Sequence, residues 1–270
     1  MNANRQLWEQ GDFARIAETM RHSGEDFVAG LRVEEGTEVL DLGCGDGTTA
    51  IPAAEAGAKV VGIDIAANLV AAARRRAKAR GLRRVRFIQG DACDLRMLAD
   101  ARFDLVVSVF GAMFAPDPLA VAREMVRVTK PGGRIVMGNW IPGDPTLVAQ
   151  ILETANQFTP PPPECFVSPM AWGNEAIVRD RFAAAGIAPD AITCTREEWR
   201  FRYGGPPDAF LRLFRDWYGP TMNAYAAARA AGREDELHSA LSALFAQENR
   251  AVAEGSEFGA RYLRVEVAVG

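Results

Sequence analysis

Apolar runs rich in β-branched residues alternate with Ala- and Arg-rich stretches between residues 37 and about 140. Each short run predicts a buried strand, at residues 37–42, 59–64, 84–89, 103–109 and 133–140. The stretches between them are apolar at helical spacing and predict helices at residues 48–56, 66–80 and 119–129. Strands that alternate with helices build right-handed βαβ units. We therefore predict an α/β fold with a doubly wound, mostly parallel sheet.

The second half of the chain has a different pattern, with more helix and two widely separated strands. Helices are predicted within residues 141–158 and at 174–185, 207–217, 222–231 and 234–253. Four consecutive prolines at 160–163 cannot continue a helix and favour an extended segment. Alternating apolar and polar positions predict the last two strands, at residues 192–203 and 260–269.

These elements predict one structural domain with a seven-stranded Rossmann-like sheet and a helical insertion, or lid, before the last strand. Residues 1–35 would form an N-terminal helical cover, and residues 36–141 the core of the sheet. Residues 142–270 would supply a lid on the substrate side together with the last two strands. Within them, residues 204–255 fall between those strands and would form the insertion.

Composition and charge narrow the class of protein. The chain has 270 residues, of which 49% are hydrophobic and 24% charged, so disordered and fibrous classes are excluded. A net charge of −4, with no Lys/Arg run longer than three residues, argues against a nucleic-acid partner. The first residues lack the apolar region of a signal peptide, and the longest apolar stretch, 105–115, is too short to span a bilayer. We expect a cytoplasmic protein.

The cysteines give no sign of a metal site or a disulfide framework. Cys44, Cys93, Cys165 and Cys194 include no C-x-x-C pair, and the chain has two histidines. We therefore expect free thiols in a reducing compartment and no bound metal. Only three of the 31 basic residues are lysine and alanine is abundant, a bias typical of a high-GC bacterial genome.

The segment VLDLGCGDG at residues 39–47 is the most informative motif. A buried strand runs into three glycines at every second position, Gly43, Gly45 and Gly47, and a helix follows. Glycine allows the sharp turn and lets a ligand approach the backbone without a Cβ in the way. Taken alone, the motif also fits a tight strand-to-helix turn that binds nothing.

Polar residues at the ends of the next strands favour the ligand-binding interpretation. Asp64 ends the second strand, Asp91 follows the third, and Ser108 lies near the end of the fourth. An acid at the end of the second strand can accept hydrogen bonds from the two hydroxyls of a ribose. Because the carboxyl ends of parallel strands line one crevice, these residues are predicted to converge with Gly43 in a nucleoside-binding cleft.

These motifs resemble those of class I S-adenosyl-L-methionine-dependent methyltransferases, in particular the small-molecule group near the ubiquinone/menaquinone-biosynthesis type. The resemblance covers residues 36–141. It rests on DLGCGDG, GID, GDACDL, FDLVVSVFGAMF and LAVAREMVRVTKPGGRIVMGNW. It implies S-adenosyl-L-methionine as the cofactor of a transferase, and S-adenosyl-L-homocysteine as its product.

The resemblance also implies roles for individual residues. The backbone from Gly43 through Cys44 to Gly45 would face the methionine part, with Asp41 supporting the loop. Asp64 would bind the ribose hydroxyls beside Ile65, which would flank the adenine. Asp91 would accept a hydrogen bond from the adenine amine, and the Ala92 backbone would lie at a ring nitrogen. Ser108 would lie near the methionine part.

A nicotinamide dehydrogenase is the competing use of such a fold. Its G-x-G-x-x-G fingerprint, counted from Gly43 and Gly45, requires a third glycine at position 48. That position is Thr48, and the glycine is at position 47. The spacing, together with the GDA after the third strand, favours the sulfonium cofactor.

Several residues are candidates for the acceptor side of the cleft. Methyl transfer requires in-line alignment and exclusion of water, and a general base is optional. The candidates for binding the acceptor are Phe110, Phe114, Asn139, Trp140, Trp172 and Tyr218. His22, in the N-terminal region, is the candidate base, and a structural role is its alternative. The aromatic stripe that includes Phe214 and Tyr218 fits either packing or recognition.

The acceptor is predicted only as a class. The fourth strand continues as SVFG, which differs from the Asn/Asp-Pro-Pro-aromatic box of methyltransferases that act on base amino groups. A lid rich in Pro, Phe and Trp and poor in Lys fits a small, hydrophobic or aromatic metabolite. A quinone- or lipid-precursor methyltransferase and a non-catalytic regulator that binds the cofactor or its product are the alternatives. The methylated atom (O, N, C or S) and the oligomeric state stay open at this point.

Overall fold

A computed structural model describes residues 3–161, 166–251 and 254–270, and the seven strands found there form one sheet. The strands are β1 Glu38–Leu42, β2 Lys59–Asp64, β3 Val85–Gln89, β4 Phe103–Val109, β5 Thr129–Trp140, β6 Ile192–Tyr203 and β7 Ser256–Ala268. Their order is β3-β2-β1-β4-β5-β7-β6. Strands β1 to β5 pair in parallel, and β7 is antiparallel to both β5 and β6. The predicted mostly parallel α/β sheet is confirmed.

Helices cover both faces of the sheet, as the buried, nearly continuous apolar strands require. In the described residues they are α1 Ala3–Glu9, α2 Phe13–Glu18, α3 Arg21–Leu31, α4 Ala50–Glu55, α5 Ala67–Ala79, α6 Pro118–Val128, α7 Leu147–Asn156, α8 Glu175–Ala184, α9 Pro207–Trp217, α10 Gly219–Ala230 and α11 Glu234–Glu248. Short 3-10 turns lie at Ala112–Phe114, Pro169–Gly173 and Pro189–Ala191.

Local sequence explains where some helices begin. Asp117 precedes α6 and its carboxylate accepts a hydrogen bond from the backbone N–H of Ala120, with Pro118 in the first turn. Asn174 caps α8 in the same way, since its side-chain oxygen accepts from Ala176 and Ile177. These caps set the starts of two helices that pack against each other beside β5.

Several element boundaries differ from the prediction. β5 begins at Thr129 and not at residue 133, because Thr129 pairs with Phe103 of β4 before a register shift. β7 begins at Ser256 and not at residue 260, because β6 pairs with it along its whole length, from Ile192 to Tyr203. α11 ends at Glu248, short of the predicted 253. Both strands are lengthened by a partner that the local sequence does not reveal.

Some sequence predictions fall outside the described residues. They concern Pro162, Pro163, Cys165, Val252 and Ala253. Cys44, Cys93 and Cys194 are unpaired within the described chain. No helix described by the structure is long and apolar enough to cross a bilayer, and the same residues hold no group of His, Cys, Asp and Glu that could bind a metal ion.

The helical insertion between β6 and β7 packs on the sheet through a cluster of aromatic side chains. Phe210 of α9 packs on Phe258 of β7, with 4.9 Å between ring centroids. Phe214, one turn later, packs on Phe245 of α11 at 5.5 Å. All four side chains are almost completely buried. The part of the aromatic stripe at Phe214 therefore packs inside the protein.

Candidate functional site

A cleft with about 880 Å³ of empty space, part of it open to solvent, lies at the carboxyl ends of β1, β2 and β4. By residue chemistry, its lining divides into a polar half and an aromatic half. The polar half is formed by the glycine loop and the ends of β2 and β3, with Gly43, Cys44, Gly45, Asp46, Thr48, Thr49, Asp64, Ile65, Asp91 and Ala92. The aromatic half is formed by Trp8, Phe13, Met20, Phe110, Ala115 and Trp199.

The glycine loop is closed on one side and open on the other. Gly43 and Gly45 both have positive φ angles, +73° and +54°, which favour glycine. A Cβ on Gly43 would lie 2.5 Å from the Cα of Gly111, so the loop packs backbone to backbone against the turn after β4. A Cβ on Gly45 would meet nothing within 4 Å. Its backbone is thus exposed to any ligand that enters the cleft.

Asp64 joins the end of β2 to this loop. One carboxylate oxygen accepts from the N–H of Gly45 at 2.8 Å, and the other accepts from Ala66 at 2.9 Å. Burial raises the pKa of the Asp64 carboxyl above its usual range. Each carboxylate oxygen has a second lone pair, so Asp64 can orient the loop and also accept from two ligand hydroxyls.

Asp41 and Ser108 support the cleft from behind and do not line it. The Asp41 carboxylate is buried beneath the loop and accepts from the Thr49 hydroxyl. Burial raises the pKa of this carboxyl to about 7. The Ser108 hydroxyl donates to the Leu42 carbonyl at 2.6 Å and accepts from the Ala112 N–H at 3.0 Å. It therefore holds the end of β4 against β1.

The end of β3 and the following turn form the far side of the polar half. Asp91, Ala92 and Ile65 all line the cleft. One Asp91 carboxylate oxygen accepts from the Cys93 N–H at 2.9 Å, which orders the turn. Cys44 also lines the cleft, and burial raises the pKa of its thiol well above its usual range, so it is not a ready nucleophile.

Phe110 is the centre of the aromatic half. It has a positive φ of +55°, an uncommon and costly conformation for a bulky side chain. Its ring stacks on Trp140 at 3.5 Å with 6° between the planes, and it meets Trp199 edge-on at 5.0 Å. The Phe110 N–H donates to the Gly138 carbonyl at 2.9 Å. Trp140 backs Phe110 and does not itself line the cleft.

A second aromatic group closes the cleft from the N-terminal side. Trp8 lies 4.9 Å from Phe114 and 6.0 Å from Tyr218, measured between ring centroids. Phe13 lies 5.6 Å from Trp8. Trp8 and Phe13 line the cleft, whereas the predicted residues Phe114 and Tyr218 lie behind them. The sequence predicted an N-terminal cover but did not single out these two aromatic residues.

Three sequence candidates lie away from the cleft lining. Trp172 is completely buried against Phe182, with the Arg181 guanidinium over its ring. Asn139 is buried, and its amide has no hydrogen-bond partner among the residues that the structure describes. His22 lines a separate groove. Burial, followed by the charge of Arg202, lowers the pKa of His22.

Besides Trp8 and Phe13, Asp46 and Trp199 of the cleft wall were also not singled out from the sequence. Asp46 lies inside the glycine motif, and the sequence pattern predicts only a loop residue at this position. In the structure its buried carboxylate forms ion pairs with two arginines. Trp199 lies in β6 between charged neighbours, and its place in the cleft depends on long-range strand pairing. Its indole N–H is buried with no partner in the described part of the chain. The sequence signal that could have indicated Asp46 is its position as an acidic residue inside the glycine motif.

Comparisons with known proteins agree with this geometry. A family model described as a methyltransferase domain matches residues 40–137. An uncharacterised protein of Mycobacterium bovis is 34% identical over 227 residues, which are 82% of this chain and 79% of the relative. A demethylmenaquinone methyltransferase of Geobacillus kaustophilus is 40% identical over 115 residues, 42% of this chain and 49% of that protein.

Similarity to solved structures supports the fold. The crystal structure of a putative methyltransferase from Bacillus halodurans superposes with a TM-score of 0.58, at 19% identity, over 91% of this chain and 98% of that one. The matching domain, the relatives and the nucleoside-type cleft all agree with the motifs in the sequence. The chain belongs to the class I methyltransferases that use S-adenosyl-L-methionine as their cofactor.

Proposed function

We propose that the protein methylates a small, hydrophobic or aromatic metabolite in the cytoplasm. The observation that carries this proposal is that the polar half and the aromatic half line one and the same cleft. Asp46, Asp64 and Asp91 are the charged side chains that the described residues contribute to the lining, and all three lie in the polar half. The aromatic half, next to Gly43 and Gly111, therefore favours an uncharged, planar acceptor.

The polar half fits the cofactor. We assign the ribose hydroxyls to Asp64, the adenine to Ile65, Asp91 and Ala92, and the methionine part to the backbone of residues 43–45. The open surface at Gly45 supports this assignment, since no Cβ hinders a close approach there. Asp41 and Ser108 would act by holding the loop and the end of β4. When bound, the cofactor supplies a methyl group on a positively charged sulfur.

The chain's own contribution would be alignment of the acceptor and exclusion of water. Phe110 is held in one orientation by Trp140 and Trp199, so its ring offers a rigid wall. Trp8 and Phe13 cover the cleft, and their ring faces would also attract a cationic centre. None of these contacts requires a general base. His22 lines a separate groove and does not line the cleft, so we assign it no role as a base.

The contributions to the cleft also support the proposed division of the chain. Trp8 and Phe13 come from the cover, residues 1–35, and the glycine loop comes from the cofactor-binding core, residues 36–141. Trp199 comes from residues 142–270, on the substrate side. In this proposal the cover and the substrate-side part share the task of enclosing the acceptor.

Binding measurements test the cofactor assignment. Titration calorimetry with S-adenosyl-L-homocysteine is expected to show binding, and Asp64→Asn is expected to weaken it by about 10- to 100-fold. The reason is that charge-assisted hydrogen bonds contribute about 1.5–3 kcal/mol each, and about 1.4 kcal/mol is tenfold in affinity. Asp208→Asn, in an exposed ion pair of α9, is the control and should bind normally. Equal affinities of Asp64→Asn and wild type would contradict the assignment.

A screen for turnover separates the remaining alternatives. The protein is incubated with S-adenosyl-L-methionine and a library of planar metabolites, and formation of S-adenosyl-L-homocysteine is measured. A quinone- or lipid-precursor acceptor is the second candidate, favoured by the Geobacillus relative, whose name states demethylmenaquinone methylation. Activity with demethylated quinols above all other compounds would select it. Binding without turnover across the library would instead support a non-catalytic regulator.

A further inference from the structure

Residues 19–24, the bridge segment, link the glycine loop to the acceptor side of the cleft. At the loop, the Arg21 guanidinium lies 3.0 Å from the Asp46 carboxylate, whose side chain is completely buried. Arg76 of α5 pairs with the same oxygen at 3.0 Å and donates to the Asp46 carbonyl at 2.6 Å. A buried carboxylate that loses one such partner is strongly destabilised, so this contact holds the loop in place.

The bridge segment also touches the loop through its backbone. A Cβ on Gly24 would lie 2.5 Å from the carbonyl oxygen of Thr48. The start of α3 is therefore packed directly against the loop, with no side chain between them. The Thr48 hydroxyl donates to the Asp46 carboxylate at 3.1 Å. The backbone contact at Thr48 and the ion pair at Asp46 are therefore connected.

On its other side, the bridge segment holds the edge strand β6. The Ser23 hydroxyl accepts from the Arg200 N–H and donates to the Arg200 carbonyl, both at 3.0 Å. The Arg202 N–H donates to the Thr19 carbonyl at 2.7 Å. Arg200 and Arg202 direct these backbone groups away from β7, at the free edge of the sheet. In a wider sheet, the same groups would form hydrogen bonds with a further strand. Trp199, in the wall of the cleft, immediately precedes Arg200.

The strands that carry the glycine loop and Trp199 are not neighbours in the sheet. Strands β4, β5 and β7 lie between β1, which leads into the glycine loop, and β6, which carries Trp199. The bridge segment crosses this distance with six residues. It contacts the cofactor half through Arg21 and Gly24 and the acceptor half through Thr19 and Ser23.

We propose that Arg21 and Ser23 are positioning residues that couple cofactor binding to the shape of the acceptor wall. This inference rests on the proposed function of the cleft. A ligand that holds the glycine loop also holds Asp46, Arg21 and, through Ser23, the segment of β6 that follows Trp199. Coupling of this kind is reciprocal, so an acceptor held by Trp199 strengthens cofactor binding by the same factor.

Hydrogen exchange at the Arg200 and Arg202 amides tests the coupling with S-adenosyl-L-homocysteine as the only ligand. In the wild type, saturating ligand is expected to slow exchange at both amides by about five- to tenfold. Arg21→Gln leaves the contacts to β6 in place and removes the link to Asp46. In this variant we expect less than a twofold effect of the ligand at both amides.

If Arg21→Gln folds poorly, two further variants test the same coupling. Arg21→Lys retains the positive charge and is expected to recover part of the ligand effect. Ser23→Ala removes the hydrogen bonds to Arg200 and leaves the Thr19 carbonyl that accepts from Arg202, so we expect it to abolish the ligand effect at Arg200 and to reduce that at Arg202. Arg229→Gln removes an exposed ion pair of α10 and should behave like the wild type.

The outcomes distinguish the two proposals. Calorimetry on each variant reports ligand binding independently of exchange. If the ligand binds the wild type but leaves exchange at β6 unchanged, or protects both amides equally in Arg21→Gln, the coupling is wrong and the proposed function stands. If the ligand does not bind the wild type, the proposed function fails, and the coupling fails with it.

Discussion

Asp41, beneath the cleft, is expected to make the stability of the fold depend on pH. Its carboxyl is buried, and burial raises its pKa to about 7 from an ordinary value of 3.8. The folded state therefore binds the proton more tightly than the unfolded state. Between these two pH values, the unfolded chain has already lost a proton that the folded chain keeps. The stability contributed by this group is present at low pH and is lost as the pH rises towards about 7.

Asp41→Asn is expected to remove this pH dependence while keeping an oxygen for the Thr49 hydroxyl. In the wild type, the group lowers the free energy of unfolding by up to about 1.4 kcal/mol per pH unit across that interval. Urea unfolding at pH 5 and pH 8 measures it. The variant should lose less stability than the wild type over this range. Identical losses in the two proteins would show that Asp41 titrates normally.

Gly111 provides a second prediction at the residue scale. A Cβ at this position would lie 2.6 Å from the Cα of Gly43, although the backbone of Gly111 suits any residue. Gly111→Ala is expected to lower the free energy of unfolding by about 1–3 kcal/mol and to weaken binding of S-adenosyl-L-homocysteine, because the glycine loop must shift. Gly204→Ala, with nothing within 4 Å of its Cβ, is the control. Equal effects of the two substitutions would contradict the close packing.

At the scale of elements, the aromatic residues of the helices have two different tasks. Phe214 of α9 is buried among other rings of the insertion and lies away from the cleft. Phe13 of α2 is only partly buried and lines the cleft. Both residues lie in helices, α9 and α2 respectively. What differs is the element against which each helix packs.

Alanine substitutions are expected to separate these tasks. Phe214→Ala should lower the free energy of unfolding by about 3–5 kcal/mol, the usual cost of emptying a buried aromatic site, with little change in ligand affinity of the folded protein. Phe13→Ala should cost less stability and weaken ligand binding more. Denaturant unfolding and calorimetry on both variants measure the contrast. The reverse ranking would mean that the insertion, and not α2, encloses the ligand.

At the scale of the whole molecule, the cofactor's product should stabilise the fold. A ligand that binds only the folded state stabilises it by about 2.7 kcal/mol at a concentration one hundred times its Kd. S-adenosyl-L-homocysteine is therefore expected to raise the thermal unfolding midpoint in a concentration-dependent way. NAD is the comparison, because Thr48 stands where a dinucleotide fingerprint has glycine. A larger shift with NAD would reverse the assignment of the cleft.

Most of the sheet and the polar half of the cleft could be predicted from local signals. The strands before residue 110 have the predicted bounds within one residue, because each lies on a short apolar run rich in β-branched residues. Gly45, Asp64 and Asp91 lie close together because the carboxyl ends of parallel strands meet at one edge of a sheet. These features depend on a few neighbouring residues and on a general rule of topology.

The aromatic half could not be predicted in the same way. Trp172 and Trp199 both lie in the second half of the chain, and each has a buried indole N–H without a partner among the described residues. Only Trp199 lines the cleft, since β6 pairs with β7 and the bridge segment holds its outer edge. Trp172 is enclosed on Phe182 instead. Local sequence patterns do not indicate which distant residues will pack against Trp172 and Trp199.

The sequence by itself determined the α/β class, the glycine loop and the acids that follow the strands, since short-range patterns encode all of them. The tertiary structure alone decided which aromatic residues line the cleft. It also placed Arg21 on Asp46 and Ser23 on β6. The physical reason is that burial and ion pairing depend on contacts between residues far apart in the chain, and these contacts exist only once the sheet and its cover have assembled.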